Sequence, residues 1–496
     1  MNRRAYDPRV ANATGSLRRL LSFCVGVAIV APPMSSLAPP VVTADVRTLR
    51  WTRAQVVALL AITLLATLLR LLRIEQWSWS EAEAVTWRAI TLPLAGANGF
   101  FSTSESNTPA VYLGLRWLCE SGWLPSYGEG WLRLPFAFAG ALAVPVLALL
   151  GRPLVGLPAA LAAAVLLALH PMHLAASQST QPLVVAVTVQ LLALACWLRP
   201  MRVLAIALLV LAASSAELGF TAAVALASMR LPVRARTFLA QGTAVIAGLY
   251  CLLSLDVLAW PVVLLAGIGA TCATPWRTAI GLATTVPLTI AMGFAWFGVA
   301  TPIAAMVGLP GLCLFAAVGL QQMFEVARAA LPGTRRLVTV AGLLPAAVTA
   351  TWLAVDTFLY LTVHQGGRSP WRDVRDTVLV AANGPGGLVL GAAAGAPSLR
   401  CYLRPGHWRE PLLDTNPGVA VLPFDLREPN TSLSVLSTTS AAHQLLVLRG
   451  EEVERINASV KARRRLADEY VLVRVISNPR PLGDDTLRIY RRVRPH

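Results

Sequence analysis

The chain has 496 residues, 56% hydrophobic and only 14% charged, with a mean hydropathy of +0.61. So little polar surface cannot cover a soluble globule, and an integral membrane protein is implied. The net charge of +17 would suit nucleic acid in a soluble protein, but here the arginines stand in short turns between apolar runs, so nucleic acid is excluded as a partner.

Residues 1–50 read as a cytoplasmic leader without stable order. The apolar stretch Leu20 to Ala31 is cut short by Pro32-Pro33, too short to cross a bilayer. From Ala54 onward about eleven apolar runs approach the ~20-residue criterion. They lie near 54–72, 131–150, 154–173, 182–198, 203–215, 217–229, 237–255, 260–274, 278–299, 302–323 and 337–362. Threaded from a cytoplasmic start, one orientation places every short basic turn inside: Arg152, Arg199 with Arg202, Arg230 to Arg236, Arg277, and Arg328 to Arg336. Arg70 and Arg73 fall instead at the outer end of the first run, where they either snorkel to headgroups or face an anionic ligand. The fold class expected is therefore a polytopic α-helical protein of the cytoplasmic (inner) membrane, its membrane domain covering 51–365.

The first outer loop, 74–130, is far longer than the connections normal between packed helices, and loops of that length are usually functional or disordered. Its composition is not that of a disordered segment. It opens on Gln76-Trp77-Ser78-Trp79-Ser80-Glu81-Ala82-Glu83, and a second amphipathic segment follows at Val111 to Leu118. Indole rings favour headgroup depth, which sets two carboxylates where a span meets water, near a lipid-borne substrate. The loop reads as a structured, acidic platform lying on the membrane.

Beyond Thr362 the composition changes, and 366–496 reads as an extracytoplasmic soluble α/β domain. Gly387 to Gly391, Gly418 to Pro423 and Gln444 to Leu448 are short apolar runs, as buried parallel strands would be. Trp371 to Ala382 and Glu452 to Glu469 carry helical periodicity. Tyr470 to Ile476 and Thr486 to Val493 mix apolar with basic residues, like a hairpin at a sheet edge. The glycine-rich run 383–387 follows a helix rather than a strand, the wrong order for a phosphate cradle, and reads as a turn.

Several short motifs recur in a known order: Trp79-Ser80-Glu81-Ala82, Thr108-Pro109-Ala110-Val111-Tyr112, Leu132-Arg133-Leu134-Pro135, Gly151-Arg152, His170-Pro171 and Ser177-Gln178. In this order and topology the chain resembles the C-type (GT-C) membrane glycosyltransferases. More narrowly, it is similar to the bacterial branch related to protein O-mannosyltransferases and the aminoarabinose transferase of lipid A. The resemblance implies transfer of a sugar from a polyprenyl-phosphate donor, on the outer face, to a lipid, glycan or protein acceptor.

That chemistry needs a carboxylate to deprotonate the acceptor hydroxyl, and a cation or amides to hold the phosphate leaving group. Glu81 and Glu83 are the candidate catalytic residues. The family pattern carries an Asp where Ser80 stands, so the resemblance passes the base to one of the glutamates or implies an inactive site. The family motif S-Q-x-x-R-x-Y is matched by Ser177 and Gln178, while Gln181 and Leu183 replace its Arg and Tyr. Candidate substrate-binding residues are Ser80, Arg88, Arg133, Gln178, Gln181 and His173. No cofactor is indicated by the residues, and a divalent metal is left open. A catalytically inactive family member acting as a membrane scaffold is the main alternative; a transporter would need repeated halves that the sequence does not show.

Overall fold

The computed structural model describes residues 51–78, scattered positions from 80 to 90, and most of the chain from 109 to 493. The main intervals outside it after 109 are 122–128, 297–301, 331–334, 363–370, 383–387 and 393–418. The leader and the glycine-rich run at 383–387 lie outside the described residues.

Helix α1 (Arg53–Leu71) begins at a capping box, in which Thr52 accepts from the Gln55 backbone N–H and the Gln55 side chain accepts from Thr52. Its composition is apolar all round, as a lipid-facing span requires. It is followed by α2 (Pro109–Glu120) and α3 (Glu129–Val155), then by α4 (Leu157–Leu169) and α5 (Pro171–Ser177), which are bent by 61° across His170. Pro171 sits at the first position of α5, so the kink falls where the ring removes a donor. The Thr357 hydroxyl donates to the Leu169 carbonyl at that break, 2.8 Å away.

Next come α6 (Pro182–Leu198), α7 (Arg202–Ser215), α8 (Thr221–Met229), α9 (Val233–Leu253) and α10 (Trp260–Thr271). The bundle closes with α11 (Arg277–Trp296), a 3-10 turn at Pro302–Val307, α12 (Leu309–Ala330) and α13 (Arg335–Thr362). The count of about eleven crossings is corrected. Among the described residues six helices are long and apolar enough to cross a membrane, or seven if the bent α4–α5 pair is one span. Apolar runs and crossings differ because α6, α7 and α10 fall short of the required length.

Residues 203–215 and 217–229, expected as two crossings, form an α7–α8 hairpin whose turn packs on the middle of α6. The Gln190 amide, halfway along α6, donates to the Leu218 and Gly219 carbonyls (3.1 and 2.8 Å) and to the Thr221 hydroxyl (3.1 Å). Irregular backbone inside a bundle must have its polar groups satisfied by protein, and this one side chain does so. The predicted span 302–323 also divides, since the 3-10 turn precedes α12, and Gly308 and Gly311 press on Leu288 and Thr284 of α11.

The C-terminal part follows with α14 (Trp371–Ala382), β1 (Leu388–Ala392), β2 (Val419–Pro423), α15 (Pro429–Thr438) and β3 (His443–Arg449). Then come α16 (Gly450–Asn457), α17 (Val460–Glu469), β4 (Tyr470–Ile476), the short pair β5 (Pro479–Arg480) and β6 (Gly483–Asp484), and β7 (Leu487–Arg492). The main sheet has the order β2-β1-β3-β7-β4, with β1 parallel to β2 and β3 and with β7 antiparallel to β3 and β4. The region expected to be helical from Glu452 to Glu469 is two helices, because Ser459 caps α17 by accepting from the Ala462 N–H.

Candidate functional site

The site expected from the sequence lies where α1 ends. Leu72 closes the helix in extended conformation and Arg73 takes a left-handed φ of 60°, a position that usually selects glycine. The Arg73 guanidinium donates to the Leu361 carbonyl of α13 at 2.8 Å, tying the strained residue to a neighbouring span end. Trp77 stacks edge-on against Tyr360, ring centroids 5.3 Å apart, so the same two span ends meet twice.

From there the chain turns into a capping box. The Ser80 backbone N–H donates to Glu83 Oε2 at 2.9 Å, and the Glu83 N–H donates to Ser80 Oγ at 3.3 Å. The Ser80 carbonyl accepts from the Ala84 N–H at 3.0 Å, the first bond of a helical turn. Glu83 is then gripped from α3, where Arg133 donates from Nε to Oε1 at 2.7 Å and from Nη2 to Oε2 at 3.0 Å. The remaining guanidinium donors reach the carbonyls of Ile74 (2.7 Å), Trp77 (3.1 Å) and Ser78 (3.2 Å). Arg133 thus folds the segment after α1 around itself.

Both partners are buried, Glu83 at 1% exposure and Arg133 at 0%. Bidentate geometry with the other guanidinium donors satisfied is the arrangement that offsets the cost of burying both groups. Both oxygens of Glu83 are occupied by Arg133 and the Ser80 N–H, and Arg133 grips that carboxylate and three carbonyls.

A second buried cluster lies one layer deeper. Arg70, in the last turn of α1, is fully buried. It donates from Nη1 to the Ala66 carbonyl at 2.8 Å, from Nε to Ser177 Oγ at 3.3 Å, and from Nη2 to His173 Nδ1 at 2.6 Å. Because arginine can only donate, His173 Nδ1 is the acceptor and the ring is the neutral tautomer protonated on Nε2. That Nε2 has no partner among the described residues. Gly140 of α3 completes the cluster, since a Cβ there would collide with the Ser177 side chain.

Neither expectation for Arg70 and Arg73, snorkelling or facing an anion, describes these contacts. His170 and His173 are both fully buried, and His170 Nε2 lies 2.9 Å from the Leu258 carbonyl.

Gln178 completes the end of α1. Its amide nitrogen donates to the carbonyls of Leu69, Arg70 and Leu72 at 2.9, 3.1 and 3.0 Å, the orphan acceptors that any helix C-terminus leaves. Gln181 is half-buried and stands before α6 without a side-chain capping bond. Glu81 and Arg88 lie outside the described residues. Ser80, Glu83 and Arg133 are therefore brought together, Arg70, His173, Ser177 and Gln178 form their own group, and Gln181 joins neither. Arg70 is the residue that the motif order passes over, and a charged residue inside an apolar run was the available signal for it.

The chain thus carries a run of apolar helices followed by a C-terminal part built on a five-stranded sheet. Among solved structures, it aligns with ArnT from Cupriavidus metallidurans in the apo state over 88% of this chain and 98% of that one, at 15% identity and a TM-score of 0.46. The same protein bound to undecaprenyl phosphate aligns over 89% and 98%, at 15% identity and a TM-score of 0.45. The apo oligosaccharyltransferase of Archaeoglobus fulgidus aligns over 80% of this chain and 69% of that one, at 13% identity and a TM-score of 0.48. No protein family and no curated protein matches the sequence.

Proposed function

We propose that the protein transfers a sugar from a polyprenyl-phosphate donor to a hydroxyl acceptor at the outer membrane face, with Glu81 as the base. The observation that carries this reading is the clamp on Glu83. Of two carboxylates beside the tryptophans, one is bound through both oxygens, and the other stands in sequence between the two capping-box residues, Ser80 and Glu83. A fixed turn is what a base must be mounted on if it is to meet a hydroxyl within hydrogen-bond reach. The departing phosphate needs donors, for which Arg88 and Gln181 are the proposed residues. The acceptor is a lipid, glycan or protein.

The test is Glu81→Gln in the native host, read as one surface glycan. Loss of that glycan with normal protein abundance supports the proposal, whereas an unchanged glycan profile removes it. Glu83→Gln serves as the contrast, lowering abundance and glycan together because it loosens the clamp.

A second reading, a family member that has lost catalysis and acts as a membrane scaffold, is favoured by one observation. Arg133, Gln178 and His173, the polar groups expected to meet substrate, all bind protein groups. Under that reading Glu81→Gln leaves every glycan in place while deletion of the protein changes one.

A further inference from the structure

At the other end of the bundle lies a cavity of about 220 Å³ between α3, α6, α8, α11 and α12. Its walls are Leu147, Leu191, Leu226, Ala283 and Leu314 with other apolar side chains, and the Gln190 amide that reaches it is bonded to the α7–α8 turn. An apolar cavity of ~150 Å³ already stays dry and takes up a hydrocarbon guest, so this larger one calls for an apolar occupant. Water would find almost no partner there.

The rim of the cavity is cationic. Trp197, which lines it, carries the Arg230 guanidinium over its ring at 5.1 Å from the centroid. Met229 also lines it, and its carbonyl accepts from Arg236 Nη1 at 3.4 Å. Arg236 Nε is buried and has no acceptor among the described residues. Among the described residues neither arginine is ion-paired with a carboxylate. A buried donor without an acceptor costs its full desolvation, so an anionic oxygen at this lip would be bound strongly. Arg230 caps the end of α8 and Arg236 lies in the first turn of α9, in the basic stretch that the charge rule places on the cytoplasmic side.

We propose that the cavity and its rim bind one anionic glycerophospholipid of the cytoplasmic leaflet, an acyl chain inside and the phosphate on Arg230 and Arg236. Basic pockets between spans on this side of a membrane are suited to such headgroups. A free phosphate would leave the apolar chamber empty, and a phosphate-free lipid such as diacylglycerol would leave the Arg236 Nε donor without an anionic acceptor. No bond is made or broken; the lipid fills space between α8 and α11 that the protein leaves open.

The experiment is native mass spectrometry of the full chain released from micelles after titration with phosphatidylglycerol or diacylglycerol of matched acyl chains. Phosphatidylglycerol should be retained about tenfold better, the scale of one charge-assisted hydrogen bond to phosphate. The double variant Arg230→Gln/Arg236→Gln should erase that preference, Arg230→Lys/Arg236→Lys should keep part of it, and Ala283→Phe should lower retention of both lipids by narrowing the chamber. Equal retention of the two lipids by the wild type would overturn the proposal, as would a preference that survives the double glutamine variant. Displacement of phosphatidylglycerol by an equal concentration of a polyprenyl phosphate would also overturn it, by showing a prenyl site instead.

Discussion

Two arginines are fully buried near the end of the first span, and they are stabilised by opposite means. Arg133 faces a carboxylate and spreads its other donors over three loop carbonyls. Arg70 has only neutral acceptors among the described residues: a histidine nitrogen, a serine hydroxyl and main-chain carbonyls. Charge pairing fixes the segment that follows α1, because removing either partner strands the other. Neutral acceptors suffice where helices already provide rigidity. A motif with paired charge therefore marks where the chain needs fastening, and an unpaired one marks where helices touch.

The difference is open to direct attack. The largest effect is expected from Arg133→Ala or Glu83→Ala, each leaving a buried ion without its counterpart, at about 3–5 kcal/mol. Denaturant titration in detergent reads this, and the double variant should cost less than the two single losses added. Gly140→Ala comes next at about 1–3 kcal/mol, since the new methyl group collides with Ser177 beside Arg70. Combining it with Ser177→Gly should recover most of the loss in the same titration.

Arg70→Met should cost only about 1–2 kcal/mol, because the lost hydrogen bonds are offset by removing a buried charge that has no anion. An Arg70→Met loss equal to that of Arg133→Ala would end the distinction between the two sites. The smallest change is Ser80→Ala, about 1 kcal/mol for one N-cap, which should leave the Glu83–Arg133 pair intact. Measured on an Arg133→Ala background, the same substitution should cost still less, because the carboxylate that completes the capping box is then free to move.

Much of the C-terminal sheet was legible in advance. Alternation and short apolar runs located β1, β2 and β3, and the mixed apolar and basic run at Tyr470 to Ile476 marked the edge strand β4. The break inside Glu452 to Glu469 was missed because Ser459 sits within a continuous helical period, and a cap is recognised only by the side chain's bond to Ala462. In the bundle, hydropathy found where the helices are but not how far each one reaches. The α7–α8 turn stops short because Gln190 meets it from a distant part of the chain, and no local pattern carries that information.

The site shows the same limit. Ser80 and Glu83 at i and i+3 spell a capping box, but the guanidinium that grips its carboxylate comes from Arg133, fifty residues away in sequence. Gln178 likewise matches a ligand-binding motif by residue type, while its amide closes α1. Arg70 was visible as a charge inside an apolar run, yet its partners come from α5, which the sequence does not align with it.

One contact in the bundle bears on how the chain is made. Helix α10 is only twelve residues long, and it lies backbone to backbone on α12: a Cβ at Gly269 would strike the Phe315 carbonyl, and one at Gly319 the Leu265 carbonyl. So short a segment covers about 18 Å, well under the ~30 Å of hydrocarbon it must satisfy. Its stable seat in the bilayer therefore depends on a glycine groove that is translated later. Ribosome-bound chains truncated before Leu309 should keep residues 260–271 open to a water-soluble thiol probe placed there, and chains extended past Ala330 should protect them; protection in both would show that α10 settles alone.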